Sequence, residues 1–302
     1  MGDRRSPSGR EDRRLLGIFL ALAAFAGFCG IDVSAKWLAE AGMPITQIVF
    51  VRYLVHLALV VAVAAPTLGL GFLRANRPRD VALRGVFLLI GTALNFWAVR
   101  HLPLTVTSAI FFTSPLFVCL LSIPLLGERI GSRRWTAIIV GFLGVLIVIR
   151  PWSADAHWAM FLSLGATLGG ALYLVYTRKL AGADSAATQQ FYAALLCTLV
   201  AAPLATLDWS WPVDRAGWSA FALIGVFGWA GHQLVTVAHR YAPASTLAPF
   251  VYSQIVYMTV AGWVLFGDAP DIWVGLGAAV VMASGLYIWV RERSQAQAAS
   301  PG

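Results

Sequence analysis

AVRHLPLTVTSAIFFTSPLF, residues 98–117, and AHRYAPASTLAPFVYSQIVY, residues 238–257, align at an offset of 140. Ala98 falls on Ala238, Arg100 on Arg240 and Pro103 on Pro243. Downstream, Gly127 falls on Gly267 and Glu128 on Asp268. An offset of 142 aligns earlier parts of the chain: Phe19 and Leu20 with Phe161 and Leu162, Gly27 with Gly169, Gln47 with Gln189. Shared Arg, Pro and Gly at matched positions exceed what two apolar segments have in common by composition. The chain reads as one unit written twice.

The unit is a set of membrane spans. Hydrophobic residues make up 59% of the 302 residues and charged residues 12%, about half the usual charged share. Apolar runs of about 20 residues recur, each long enough to cross the hydrocarbon core. Ten are predicted: 15–39, 45–68, 81–99, 104–126, 135–149, 156–177, 186–207, 216–238, 245–266 and 272–290. Backbone groups in lipid must satisfy one another within the segment, so the spans are helices; the period-two alternation of a barrel is absent. The first span is too long for a signal-peptide core and is expected to stay in the mature chain.

Five spans per unit is an odd number, so the second copy enters the membrane from the opposite side. The predicted fold is all-α and integral to the membrane: ten helices in two inverted five-helix repeats, residues 15–150 and 156–291. A basic cytoplasmic tail at 1–14 and a cytoplasmic tail at 292–302 flank them. Such architectures place a substrate path between the halves and permit alternating access. Threading ten spans from an internal amino terminus puts seventeen of the 22 Lys and Arg on the inner side and four outside. That bias predicts both termini in the cytoplasm of an inner-membrane protein. It also accounts for the net charge of +8 without a nucleic-acid partner.

Asp32, Lys36, Gln47 and Arg52, followed by HLPLTVTSAIFFTSPLF, LLGERIGSRRW and GFLGVLIVIRP, resemble the EamA branch of the drug/metabolite transporter superfamily. The resemblance runs from about Leu15 to Arg293 and is most specific between Leu102 and Pro151. Within the branch it is similar to the group containing S-adenosylmethionine uptake carriers. It implies a ten-helix fold with a central cavity, carrier activity without ATP, and a substrate that the shared fold does not fix. It also implies a cavity bounded by the first, third, fourth, sixth, eighth and ninth spans, with the fifth and tenth at the periphery.

Asp32 and Lys36 lie one turn apart on the first span, acid before base, the favourable order. Asp32 and Arg52 are each seven residues from the ends of the first hairpin tip, roughly 10 Å deep at 1.5 Å per residue. A charge there costs about 3 kcal/mol on insertion scales and faces a partner or a cavity. Two roles are open: Asp32 locks the hairpin by pairing with Arg52 or Lys36, or the group polarises a cavity in which Arg52 receives a carboxylate. The second copy carries Leu174 and Ala194 at these positions. A device the fold required would appear twice, which favours the cavity.

The candidate substrate-binding residues are Asp32, Arg52, Gln47, Asn95, Tyr252 and Gln254, with Lys36, His56 and His232 in coupling or support. Histidine titrates near neutral pH and could relay protons. Tyr252, Tyr257, Phe111 and Phe112 are candidates for an aromatic wall. Pro115 and Pro249 interrupt spans four and nine. Glu128 and Asp268 are expected to cap helices or pair with nearby bases. Cys29, Cys119 and Cys197 show neither metal-ligand nor disulfide spacing, so no cofactor or metal is expected. No Walker sequence is present, and no nucleophile or second carboxylate accompanies Asp32.

The expected function is secondary transport of a small polar or zwitterionic metabolite, S-adenosylmethionine-like, with a proton or ion as a coupling partner, by a monomer or homodimer. Riboflavin and amino-acid carriers of the same fold, and a membrane-embedded enzyme, are the alternatives.

Overall fold

The computed structural model describes residues 7–127, 132–153, 156–180, 183–242, 247–269 and 271–298. Among them the regular structure is all helical. The first copy holds α1 (Pro7–Glu40), α2 (Ile45–Leu68), α3 (Pro78–His101), α4 (Leu104–Phe111), α5 (Ser114–Leu126) and α6 (Ser132–Ile149). The second holds α7 (Ala159–Lys179), α8 (Ala186–Ala205), α9 (Arg215–Tyr241), a 3₁₀ turn (Ala248–Tyr252), α10 (Ser253–Phe266) and α11 (Ile272–Ala298). Seven described segments are long and apolar enough to cross a membrane, and three shorter apolar helices cover 135–149, 250–266 and 272–287. This is a multi-pass membrane protein.

Spans four and nine are each broken at the same point of the repeat. Span four changes direction at Phe112 and Thr113, where the Thr113 hydroxyl donates to the Ile110 carbonyl (2.7 Å). Pro115 sits in the first turn of α5, where its missing N–H costs no hydrogen bond. Span nine holds the 3₁₀ turn, again with proline in its first turn, and is α-helical from Ser253. The prolines that sequence marks as interruptions therefore begin a segment in each case. Both spans end on a left-handed glycine, Gly127 (φ 71°) and Gly267 (φ 72°), as helix C-termini favour. Glu128 lies outside the described residues.

The halves are interleaved. α1 packs most extensively on α9, and its repeat equivalent α7 packs on α3; α2 packs on α8, and α6 on α11. The crossings use glycines that the repeat relates. A Cβ on Gly169 of α7 would lie 3.0 Å from the Gly91 Cα of α3, and one on Gly27 of α1 would lie 3.8 Å from the Gly231 Cα of α9. Likewise, Gly85 of α3 abuts Ala193 of α8, while Gly225 of α9 abuts Arg52 and Val55 of α2. Small residues let membrane helices approach where dispersion, not hydrophobic burial, drives association. One apolar core joins α1, α2, α3, α8, α9 and α10; a second joins the ends of α3 and α4 to α6, α7 and α11.

Bonds at the bundle ends show the inversion. The ends of α1 and α3 meet the residue after α10, through Lys36, Leu102 and Asp268. The end of α7 instead meets the start of α3, through Thr177 and Arg84. Equivalent helix ends lie on opposite faces.

Candidate functional site

A cavity of about 930 Å³ lies between the halves, within the range of small-molecule sites. α1, α3, α4, α5, α7, α9 and α10 supply most of its wall. Arg52 of α2, Ala186, Gln189 and Gln190 of α8, Leu247, Val251 and Tyr252 in and beside the 3₁₀ turn, and Gly285 and Leu286 of α11 add to it. Among the described residues α6, span five, supplies none of the lining; α11 supplies two residues where span ten was expected to stand apart, and spans two and seven, α2 and α8, contribute although they were not expected to bound the cavity. The lining reaches Arg84 and Arg178 at the end of the bundle where α3 starts and α7 ends.

Asp32, Arg52, Asn95, Tyr252, Gln254 and His232 all line this cavity. Asn95 Nδ2 donates to Asp32 Oδ1 (2.7 Å), so two residues chosen separately from sequence form one unit. Arg52 Nη1 donates to Thr92 Oγ1 (2.9 Å), which is also 2.6 Å from the Tyr53 hydroxyl. The Arg52 guanidinium stacks 4.5 Å from the Tyr53 ring centroid. Among the described residues no ion pair joins Asp32 to Arg52 or to Lys36. Both cavity charges are held instead by α3, through Thr92 and Asn95, less than one turn apart. Asp32 and Arg52 therefore do not lock the first hairpin by pairing.

Three expected site residues sit elsewhere. Lys36 is buried at the far end of the bundle, where Nζ donates to Asp268 Oδ2 (2.7 Å) and to the Leu102 carbonyl (3.1 Å), with Glu40 Oε1 at 3.6 Å. Its charge thus joins the two halves above the cavity and does not support Asp32. Two carboxylates lie within its reach there, a better counter-charge than the cavity's one acid. Gln47 is fully buried and uses both amide atoms on Ser210 of the α8–α9 loop, donating from Nε2 (2.6 Å) and accepting at Oε1 (3.0 Å). It pins a loop and, fully buried, stands outside the cavity lining. His56 lies behind the wall, 3.4 Å from Gln190 Oε1, with its ring 5.8 Å from that of His232.

Among the aromatic candidates, Phe111, Phe112 and Tyr252 line the cavity, and Phe112 and Tyr252 stack at 5.1 Å. Tyr257 packs against the apolar core instead. Phe25, Phe28, Phe87, Phe96 and Tyr173 add to the wall. The cavity therefore has broad ring faces and a few fixed polar groups.

Arg84 is the site residue that sequence reading misses. It sits at the margin of span three and counts there as one more inner positive charge. Folded, it is 4% exposed. Nε donates to Thr177 Oγ1 (2.7 Å), Nη1 to the Gln189 carbonyl (2.8 Å) and Nη2 to the Tyr173 hydroxyl (2.5 Å). The available signal was an arginine three residues into an apolar span whose repeat equivalent is Ile224.

Two interleaved inverted halves around one central polar and aromatic cavity define a membrane transport fold. The EamA-like transporter family matches residues 15–150 and again residues 157–290, and the chain belongs to that family. It is 31% identical to a riboflavin transporter of Vibrio cholerae serotype O1, over 93% of this chain and 96% of that one. It is 26% identical to an S-adenosylmethionine uptake transporter of Rickettsia bellii, over 92% and 94%. A solved crystal structure superposes with a TM-score of 0.61 at 18% identity, covering 90% of this chain and 98% of the other; at that identity the likeness concerns the fold alone.

Proposed function

We propose that the protein is a secondary, ATP-independent carrier that moves a small polar or zwitterionic metabolite with a flat ring by alternating access. The observation that carries the reading is a cavity walled by both halves. Its lining reaches Arg84 and Arg178, and the Lys36–Asp268 pair joins the two halves at the opposite end of the bundle. The ring faces of Phe111, Phe112 and Tyr252 suit a planar group. Asp32 with Asn95, and Arg52, suit its polar substituents. Riboflavin and S-adenosylmethionine, the molecules named for two relatives, both carry a flat heteroaromatic ring and a polar chain.

The test is a thermal-shift screen of the purified protein against riboflavin, S-adenosylmethionine and amino acids, since a ligand that binds only the folded state raises the melting temperature. The stabilising compound should then accumulate unchanged in proteoliposomes. Chemically altered product would favour a membrane enzyme, and binding without flux would overturn the carrier.

In this reading both termini are cytoplasmic, on the excess of Lys and Arg at that end, and the cavity faces inward. Reporter fusions at Ser6 and at Ser300 should both show cytoplasmic exposure. Opposite locations would refute the even number of spans.

A further inference from the structure

The charges around the cavity do not balance. Asp32 is the only carboxylate in the lining among the described residues, and Asn95 already donates to it. Arg52 and Arg84 are 5% and 4% exposed. Among the described residues neither has a carboxylate oxygen within 4.0 Å, and their hydrogen bonds go to neutral groups. Burying a charge is expensive unless a counter-charge meets it. Arg52 Nε, moreover, is buried without a hydrogen-bond partner.

Arg84 carries the argument further than Arg52. Its three bonds join α3 to α7 and α8, but a tie among a hydroxyl, a phenol and a carbonyl needs no positive charge. A neutral amide could make part of it at far lower desolvation cost. The guanidinium has five N–H groups, and three are used. Tyr173 holds the plane from one face, with Arg84 Cζ 4.2 Å from the ring centroid. A fixed guanidinium with donors to spare is suited to a planar or tetrahedral oxyanion. The second copy has Ile224 and Ala194 in place of Arg84 and Arg52, so the inverted fold does not need these charges.

We infer that Arg84 is an anion-binding post, and that the molecule carried in this cavity has a phosphate or carboxylate group that docks there. Thr92, which holds Arg52, is eight residues along α3 from Arg84, about 12 Å of helix rise. A ligand with its ring among the aromatic side chains near Asp32 and Asn95 would place an acidic tail at the terminus end. The inference rests on the carrier reading for the word "carried" alone; anion binding at Arg84 stands or falls by itself.

The experiment therefore measures binding and not flux. Purified full-length protein in lipid nanodiscs is melted with inorganic pyrophosphate or citrate, with sodium chloride holding the ionic strength constant. The two probes separate phosphate from carboxylate recognition. Wild type should melt higher with at least one of them than with chloride. The shift should vanish in Arg84→Gln and persist in Arg215→Gln, which removes a base outside the cavity. No shift in wild type, or an equal shift in Arg84→Gln, overturns the inference. Because Arg84→Gln also loosens α3 from α7, a second measurement uses wild type alone. Phenylglyoxal labelling of Arg84, read by mass spectrometry, should fall when the effective probe is present. Unchanged labelling overturns the inference equally.

Discussion

Replacing Asp32 and Arg52 together by leucine should give a protein that folds, reaches the membrane and does not transport. If the two formed an isolated buried ion pair, removing one would leave an unpaired charge, costing about 3–5 kcal/mol, and removing both would be tolerated or stabilising. Function would then return with the second substitution. The structure gives a different expectation. Each charge bonds to α3, Asp32 through Asn95 and Arg52 through Thr92, and each lines the cavity. Neither replacement compensates for the other. In Asp32→Leu with Arg52→Leu, Asn95 and Thr92 still face the cavity, where water can satisfy them, so folding survives while the ligand loses both polar contacts. Monodisperse elution in size exclusion together with loss of at least nine-tenths of flux is the expected result. Near-normal flux in a well-folded double variant would refute a cavity role for both.

The second large effect concerns the helix crossings. Gly169→Ala should destabilise the protein markedly, whereas Gly27→Ala, at the repeat-equivalent position, should melt like wild type. A Cβ on Gly169 would meet the Gly91 backbone at 3.0 Å and the Phe87 carbonyl at 3.2 Å. Backbone on a packed helix cannot rotate away, and overpacking of this kind costs about 1–3 kcal/mol. The nearest atom to a Cβ on Gly27 is the Phe227 carbonyl at 3.6 Å, an ordinary contact. Gly169→Leu should leave little folded protein. Equal melting of the two alanine variants would show that the α3–α7 crossing is looser than described.

The spans were legible because apolar runs have sharp ends. Ile45–Leu68 is both a predicted span and the extent of α2, and span four covers α4 and α5 together. The repeat was legible in Arg100, Pro103 and Gly127 with their partners. Asp32, Arg52 and Asn95 stood out because charge or amide in an apolar run has few uses. What stayed hidden depends on long-range pairing. Nothing local tells that Lys36 meets Asp268, 232 residues away, and the nearer Asp32 was the natural partner to expect. Gln47 read as a substrate-binding residue because the loop that engages both its amide atoms lies 163 residues on. Arg84 was masked by arithmetic: at a span boundary, a structural or binding arginine counts the same as a topogenic one.

The Lys36 bridge bears on energetics as well as on shape. Its two acceptors lie at the end of α3 and just after α10, Glu40 at the end of α1 is an ion-pair neighbour, and the Asp268 side chain is 22% exposed. The Lys36 ammonium is itself buried, its side chain 5% exposed, so solvent meets the bridge on the carboxylate side alone. Parting it would leave a buried charge without its counter-charge, a costly arrangement. In the carrier reading proposed above, a ligand that favours the parted arrangement must offset that cost through its differential affinity for the two states.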